Sequence, residues 1–422
     1  MSGIDRLKEH LLETGQIGRS EPVRTERFDQ LNLDLGVSRP TGTEANRKIR
    51  DYAVQCMREA ELKIEVDAAG NIFGRREGSK TSSGSVMCGS HVDSVMRGGM
   101  FDGALGVFAA IEALMRLQEE HFENERPLEV AVFTGEEGSA FKQVLLGSSI
   151  LTGKISLEEA LGMKNEGGQT LQQALEDIGY RGETLRSLDD VEYMIEMHVE
   201  QGPVLYQERV PVGIVENITG LIWIMVRITG QENHAGTTPM KMRKDALVTA
   251  SEVVSFVNRR ANEMVDTHSG STVGTVGKLN VFPNGTNTVP GRVEMGIDIR
   301  DVDRGRMKEL TQETLDLIKT LEERYGVRTE VELPAPHDPV PLSREVIAAI
   351  ETSAEKVGIA ARRMNSGAGH DAQNIAERVK TGMIFVPSLN GVSHSPLEWT
   401  EWQDIEKGVL VLTQTIKELS RL

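Results

Sequence analysis

The pattern of apolar and polar positions changes twice along the chain. From about residue 45 to 215, short apolar runs alternate with helical patterns: "SVMCG", then the helix "GALGVFAAIEALMRLQ", then "LEVAVFT", and later "VEYMIEM". Strands separated by helices in this way predict an α/β sheet covered by helices. From about 217 to 332 the order becomes a strand "IWIMVRIT", a helix from Asp245 to about Val265, two strands in "STVGTVGKLNVF" and "RVEMGIDIR", a second helix, and a strand "RTEVEL". This βαββαβ order predicts a ferredoxin-like unit. Met307, Leu310, Leu317 and Leu321 form the stripe by which its second helix would cover a four-stranded sheet. The α/β alternation then resumes, ending in "TGMIFVPS" and a C-terminal helix. The expected organisation is one α/β domain built from residues 1–216 and 333–422, interrupted by an inserted domain at 217–332. The polar stretch 77–85 reads as a connector between strands.

Composition narrows the choice of chemistry. The longest apolar runs, "LIWIM" and "LEVAVF", are too short to cross a bilayer. The first residues mix charged and apolar positions without a continuous apolar core, so a cytoplasmic chain is expected. A net charge of -17 argues against a nucleic-acid surface, which needs clustered Lys and Arg. Only Cys56 and Cys88 are present, which excludes a disulfide framework and a cysteine-based metal site. Any metal must use His, Asp and Glu.

The stretch "GSHVDSVMRGGMFDG", residues 89 to 103, places His91 at the end of a predicted strand and Asp102 at the start of the following helix. Strand carboxyl ends are where α/β sheets bind ligands, and the intervening glycines permit a tight return. Taken alone, a satisfied core histidine and a helix N-cap aspartate explain this stretch equally well. Three further strand ends repeat the pattern. "LEVAVFTGEEGS" delivers Glu136 and Glu137, "VEYMIEMHVEQGP" delivers His198 with Gln201, and "TGMIFVPSLNGVSHSP" delivers His394. Each has its own bland explanation, but their joint occurrence is the arrangement expected when ligands converge on divalent metal. The five ligands His91, Asp102, Glu137, His198 and His394 suit two ions if Asp102 bridges them. Side chains of adjacent residues diverge, so Glu137 is assigned to metal and Glu136 to general base. Metal-assisted amide hydrolysis is the chemistry implied.

With "GSHVDSV", "GGMFDG", "FTGEEGS", "HVEQGP", "NHAGTTPM", "NTVPG", "SGAGHDA" and "SHSPLEW" in order, the chain resembles the di-zinc amidohydrolases related to aminoacylases. Within them it resembles the hydantoinase/carbamoylase branch, which includes N-carbamoyl-L-amino acid hydrolase, β-ureidopropionase and allantoate amidohydrolase. The resemblance implies an aminopeptidase-like catalytic domain with two divalent ions, zinc ahead of manganese or cobalt. It also implies a homodimer formed through the inserted domain. His91, Asp102 and His198 would serve one ion, and Asp102, Glu137 and His394 the other. It further implies His234 as an oxyanion donor, with Gln201, His234, Asn287, Arg300 and Gly369 binding a small ureido or amide substrate that carries a carboxylate. The bland reading of Arg300 is an ion pair with Asp298 or Asp301. His370 and Asp371 read as supporting or helix-cap residues, and His10, His121, His268 and His337 as structural. An N-carbamoyl-L-amino acid is the expected substrate; allantoate or N-carbamoyl-β-alanine come next, then an N-acyl amino acid. An inactive binding module is the non-enzymatic alternative, but it would have lost a ligand or the base.

Overall fold

The computed structural model describes residues 3–32, 34–80, 84–268 and 271–421. The centre of the 77–85 connector lies outside these residues, and so does the side chain of His268. The chain forms two compact units, Met1–Glu216 with Leu342–Leu422, and Asn217–Pro341. Among the described residues no helix is long and apolar enough to cross a membrane.

The first unit is a mixed α/β structure around one sheet. Its centre is four parallel strands in the spatial order Leu128–Phe133, Ser85–His91, Val191–Val199 and Lys380–Val386. Antiparallel strands Ile72–Arg76 and Lys63–Val66 extend one side, and Val212–Ile218 extends the other. Ser85–His91 and Leu128–Phe133 are buried along their whole length, as expected for strands covered on both faces. Helices Ala104–Glu119 and Trp402–Leu419 pack on these strands and on each other. A second apolar cluster joins Phe73, Met87, Phe133 and Met194 to Leu151 and Ile375. Parallel pairing sends every central strand's carboxyl end to the same edge. The register sets His91 opposite Phe133, and His198 opposite Phe385.

The second unit has the element order anticipated from the pattern: Gly220–Thr229, helix Ala246–His268, Val273–Phe282, Arg292–Asp301, helix Arg304–Tyr325 and Arg328–Glu332. Its four long strands are antiparallel, in the order Arg328–Glu332, Gly220–Thr229, Arg292–Asp301, Val273–Phe282. Strict alternation in Gly220–Thr229 buries Ile222, Ile224, Val226 and Ile228 against the two helices and turns Trp223 and Arg227 outward. The stripe on Arg304–Tyr325 is Met307, Leu310, Thr314, Ile318 and Leu321, with Leu317 only partly buried. Leu317 keeps the helical period, seven residues after Leu310, but at the edge of the stripe, whereas Ile318 lies nearer its middle, beside Met307 and Thr314. The unit runs past 332 to Pro341, so the boundary drawn from the sequence at 332/333 falls at 341/342 in the structure. The reason is backbone pairing: His337 bridges Leu221, and Val340–Pro341 pairs with Ile218 and Asn217.

Candidate metal centre

The residues singled out in the first unit meet at the carboxyl edge of the parallel strands. His91 ends its strand, Glu136 and Glu137 follow Leu128–Phe133, His198 is the penultimate residue of Val191–Val199, and His394 lies in the loop after Lys380–Val386. Asp102 precedes Gly103, which is the N-cap of Ala104–Glu119 at a φ of 63°. A Cβ on Gly103 would stand 2.4 Å from Cε1 of His91, so only glycine lets the helix begin this close to the imidazole. Asp102 itself is no helix cap, contrary to the simpler reading of the stretch. Its carboxylate is 3% exposed and turns into the cluster.

The two oxygens of Asp102 face different partners. Oδ1 lies 3.6 Å from Nε2 of His91 and 3.2 Å from Nε2 of His198. Oδ2 lies 3.3 Å from Nε2 of His394, which is also 3.3 Å from Oε2 of Glu137. One ligand atom from each of His91, Asp102 and His198 falls within 4.8 Å of the others, and the same holds for Asp102, Glu137 and His394. Imidazole orientation is set from behind: Nδ1 of His91 donates to the Asp93 carbonyl at 3.1 Å, and Nδ1 of His198 to the Val199 carbonyl at 2.9 Å. Both Nε2 atoms are thereby turned to the cluster. Glu136 places Oε2 3.6 Å from Nε2 of His91 and has no place in either triplet.

The electrostatics of the protein groups alone call for added positive charge. Burial, then the Glu137, Asp371, Asp102 and Asp93 charges, push the Glu136 carboxyl well above its usual range. Burial and then Asp102 raise Glu137 to about 8 and Glu398 to about 7. Burial would lower His198, but its hydrogen bond to Asp102 outweighs that and raises it to about 9. The bond to Asp102 raises His394 to about 9 as well. Protons are drawn to the positions a divalent cation would take, and imidazole with carboxylate is a donor set suited to zinc, manganese or cobalt. By donor chemistry and spacing, the residues present fit two such ions.

Asp93, Glu196 and Glu398 were assigned no role from the sequence, while His370 and Asp371 were read as supporting or helix-cap residues; all five surround this cluster. Asp93 accepts the backbone N–H of Glu136 on Oδ1 and of Glu137 on Oδ2, each at 3.2 Å, and so fixes the acidic pair. It lies two residues after His91, but a carboxylate in a glycine-rich turn has many ordinary uses. Glu398 accepts the N–H groups of Phe101 and Asp102 at 2.9 and 3.0 Å from the far end of the chain. Glu196 accepts from Ser90 at 2.6 Å and from the Ala372 N–H at 2.9 Å beneath His198. His370 is the N-cap residue of Asp371–Ile375 without a side-chain cap bond. It pairs with Ser366 at 2.9 Å and packs edge-on to His198 at 4.6 Å. Asp371 accepts from Ser148 at 2.5 Å.

The residues named for substrate contact fall in several places. Gln201 is beside Asp102, its Nε2 2.9 Å from Oδ2, while its buried Oε1 has no partner among the described residues. Gly369 is exposed next to His370, with Leu145 the nearest side chain after that of Gln373. In the second unit His234 and Asn287 come together where Asn233–His234 pairs with Thr288–Val289. Nδ1 of His234 accepts the N–H groups of Gly236 and Thr237 at 3.0 and 3.2 Å, which leaves the ring proton on Nε2. Arg300 is elsewhere on that unit. Its strand begins at Arg292, close to the His234 turn, and eight residues of strand from Arg292 to Arg300 span roughly 26 Å. The Arg300 guanidinium forks onto Asp298 at 2.9 and 3.2 Å, and Trp223 donates to the same carboxylate at 2.9 Å. Asp301 is taken by Arg306. Of the histidines read as structural, His10 bonds Tyr52 at 2.9 Å and the His337 backbone bridges Leu221, while His121 is exposed.

An α/β sheet with His, Asp and Glu donors gathered at one edge, in a chain interrupted by a βαββαβ unit, defines a class. The chain belongs to Peptidase family M20/M25/M40, which it matches over residues 87–418. Among its relatives is an N-carbamoyl-L-amino-acid amidohydrolase of Pseudomonas sp. (strain NS671), 37% identical over 98% of this chain and 97% of that protein. Another is an allantoate amidohydrolase of Bacillus subtilis (strain 168), 37% identical over 85% of this chain and 87% of the relative. The solved structure of an amidase of the hydantoinase/carbamoylase family from Burkholderia multivorans superposes with a TM-score of 0.91, at 35% identity and covering 98% of this chain and 97% of that one.

Proposed function

We propose that this chain is a binuclear-metal amidohydrolase that cleaves the ureido C–N bond of N-carbamoyl-L-amino acids. The observation that carries the reading is Asp102, whose Oδ1 belongs to one group of donors and Oδ2 to another. In this reading His91, Asp102 and His198 hold one ion, and Asp102, Glu137 and His394 the other. Zinc is favoured, with manganese or cobalt acceptable to the same donors. When bound, such a pair of ions supplies Lewis acidity that polarises a carbonyl and acidifies water near neutral pH.

The chain's own groups do the rest. Glu136, outside both triplets, takes the proton of the attacking water and delivers it to the leaving nitrogen. Water oxygen joins the carbamoyl carbon, the bond from that carbon to the amino-acid nitrogen breaks, and the carbamate formed divides into carbon dioxide and ammonia. His234, with its proton fixed on Nε2 by the Gly236 and Thr237 amides, donates to the oxyanion. Gln201, Asn287 and Gly369 contact polar groups of the substrate, and Arg300 binds its carboxylate by exchanging it for Asp298. The strand length between the His234 turn and Arg300 exceeds the size of such a substrate. That supports a homodimer in which the two contacts come from different subunits. Leu221 and Trp223 lie opposite Arg300 and Asp298 on the neighbouring strand, an apolar surface that supports preference for apolar side chains over allantoate. The free buried cysteines Cys56 and Cys88 are in keeping with a cytoplasmic location.

The test is a steady-state comparison of N-carbamoyl amino acids, N-carbamoyl-β-alanine, allantoate and N-acetyl amino acids on zinc-reconstituted protein. The expected result is the highest kcat/KM for an N-carbamoyl-L-amino acid with an apolar side chain, lost in Arg300→Ala mainly through KM. A higher kcat/KM for allantoate than for every carbamoyl amino acid would assign the chain to the allantoate reaction instead.

A further inference from the structure

Ser393 and Glu398 lie on the loop that carries His394, all within the first unit. Oε1 of Glu398 accepts the N–H groups of Phe101 and Asp102 at 2.9 and 3.0 Å, which ties this loop to the backbone of the Asp102 turn. A Cβ added to Gly99 would meet Oε1 of Glu398 at 2.1 Å, so the turn is built against that carboxylate. The Ser393 hydroxyl has two acceptors within reach, Oε2 of Glu398 at 2.7 Å and Oδ2 of Asp102 at 3.1 Å. It has one hydrogen to give. Oδ2 of Asp102 already accepts from Nε2 of Gln201 at 2.9 Å, and Nε2 of Gln201 also lies 3.4 Å from the Ser393 oxygen. A carboxylate oxygen has about two lone-pair directions, so besides Gln201 Oδ2 has room for one further partner, a place that Nε2 of His394 takes at 3.3 Å here and would yield when it turns to an ion.

We propose that Glu398 is a positioning residue that holds the Ser393 hydrogen away from Asp102 and so keeps the last lone pair of Oδ2 open for the ion shared with Glu137 and His394. This inference rests on the two-ion reading above and concerns the half of the centre that contains His394. That half is the more exposed one: the His394 side chain is 52% exposed, against 2% for His91 and 1% for His198.

Glu398→Gln separates this role from simple scaffolding. The glutamine keeps the size of the side chain, and its Oε1 must face the Phe101 and Asp102 N–H groups because an amide NH₂ cannot accept from them. Its Nε2 then faces Ser393, where it donates to the hydroxyl oxygen and turns the hydroxyl hydrogen onto Oδ2 of Asp102. The backbone anchors survive while the lone pair is lost. Removing the hydroxyl as well, in Glu398→Gln/Ser393→Ala, frees it again.

The experiment measures zinc bound per chain after stripping and reconstitution, with affinities from titration against a chromophoric chelator, on the full-length chain. Wild type and Ser393→Ala are expected to bind two ions. Glu398→Gln should retain one tight ion and bind the second ~10- to 100-fold more weakly, the usual scale for a group acting behind a ligand. The double variant should regain the second ion at near wild-type affinity. A Glu398→Gln protein that binds two ions like wild type overturns the proposal, and so does a double variant that stays deficient, since that pattern indicates a purely structural carboxylate. A wild-type chain that takes up fewer than two ions defeats the two-ion reading itself, a result distinct from either.

Discussion

Asp102 in the first unit and His234 in the second show two ways of holding a polar side chain. Asp102 is 3% exposed; its backbone is fixed by Glu398, its carboxylate by Gln201, and the imidazoles around it by carbonyls behind them. His234 and Asn287 are exposed on a two-residue pairing, and Arg300 is committed to a neighbour on its own strand. Asp102, His91 and His198 are set in direction by these partners, whereas His394 is half exposed. His234 and Asn287 lack that enclosure. The His91, Asp102 and His198 donors thus lie in the first unit's core, whereas His234 and Asn287 lie on surface turns of the second.

The comparison breaks most severely at the shared carboxylate. Asp102→Ala should leave both groups of donors incomplete, reducing bound zinc to well under one ion per chain and activity to background. Elemental analysis of gel-filtered protein checks this, and retention of two ions would show that Asp102 is no bridge. His234→Ala should do the opposite: both ions stay, and kcat falls roughly 10²- to 10³-fold, the scale for one oxyanion donor. If zinc is depleted in that variant, His234 belongs to the buried class and the contrast fails.

The smallest effect concerns the second unit's own buried anion. Burial raises the Asp301 carboxyl, but hydrogen bonds from Arg306, Thr272, Ser271 and the Asp303 N–H outweigh it and hold it at about 2, below the ordinary 3.8. A depressed folded-state pKa means stability that is present above 3.8 and lost as pH falls towards about 2. Allowing for solvent screening, the loss is about 1 kcal/mol. Urea unfolding at pH 5 and pH 2.5 should show that much extra acid sensitivity in wild type relative to Asp301→Asn. Equal pH dependence in the two proteins would remove Asp301 from the account.

How much of this was legible in the sequence follows the same division. The strands, the βαββαβ order and the convergence of His91, Asp102, Glu137, His198 and His394 were readable because hydrophobic period and strand-end position are local signals that parallel pairing turns into proximity. Asp93, Glu196 and Glu398 were not, because a carboxylate that accepts backbone N–H groups looks like any turn acid until its distant partner is known; Asp102 and Glu398 are separated by 296 positions. The N-cap alternative for Asp102 failed because Gly103 takes that place. The extension of the second unit to Pro341 was hidden for a related reason: short backbone pairings, His337 with Leu221 and Val340–Pro341 with Ile218 and Asn217, hold residues whose side chains carry no periodic pattern.

The most direct test of the central claim is Glu136→Gln, made in protein whose zinc content is measured in the same sample. Glu136 lies against His91 but outside both groups of donors, so the amide should leave two ions per chain in place. It cannot accept the water's proton, and kcat on an N-carbamoyl-L-amino acid should fall ~10²- to 10⁴-fold. A zinc-replete variant that turns over at the wild-type rate would contradict the account.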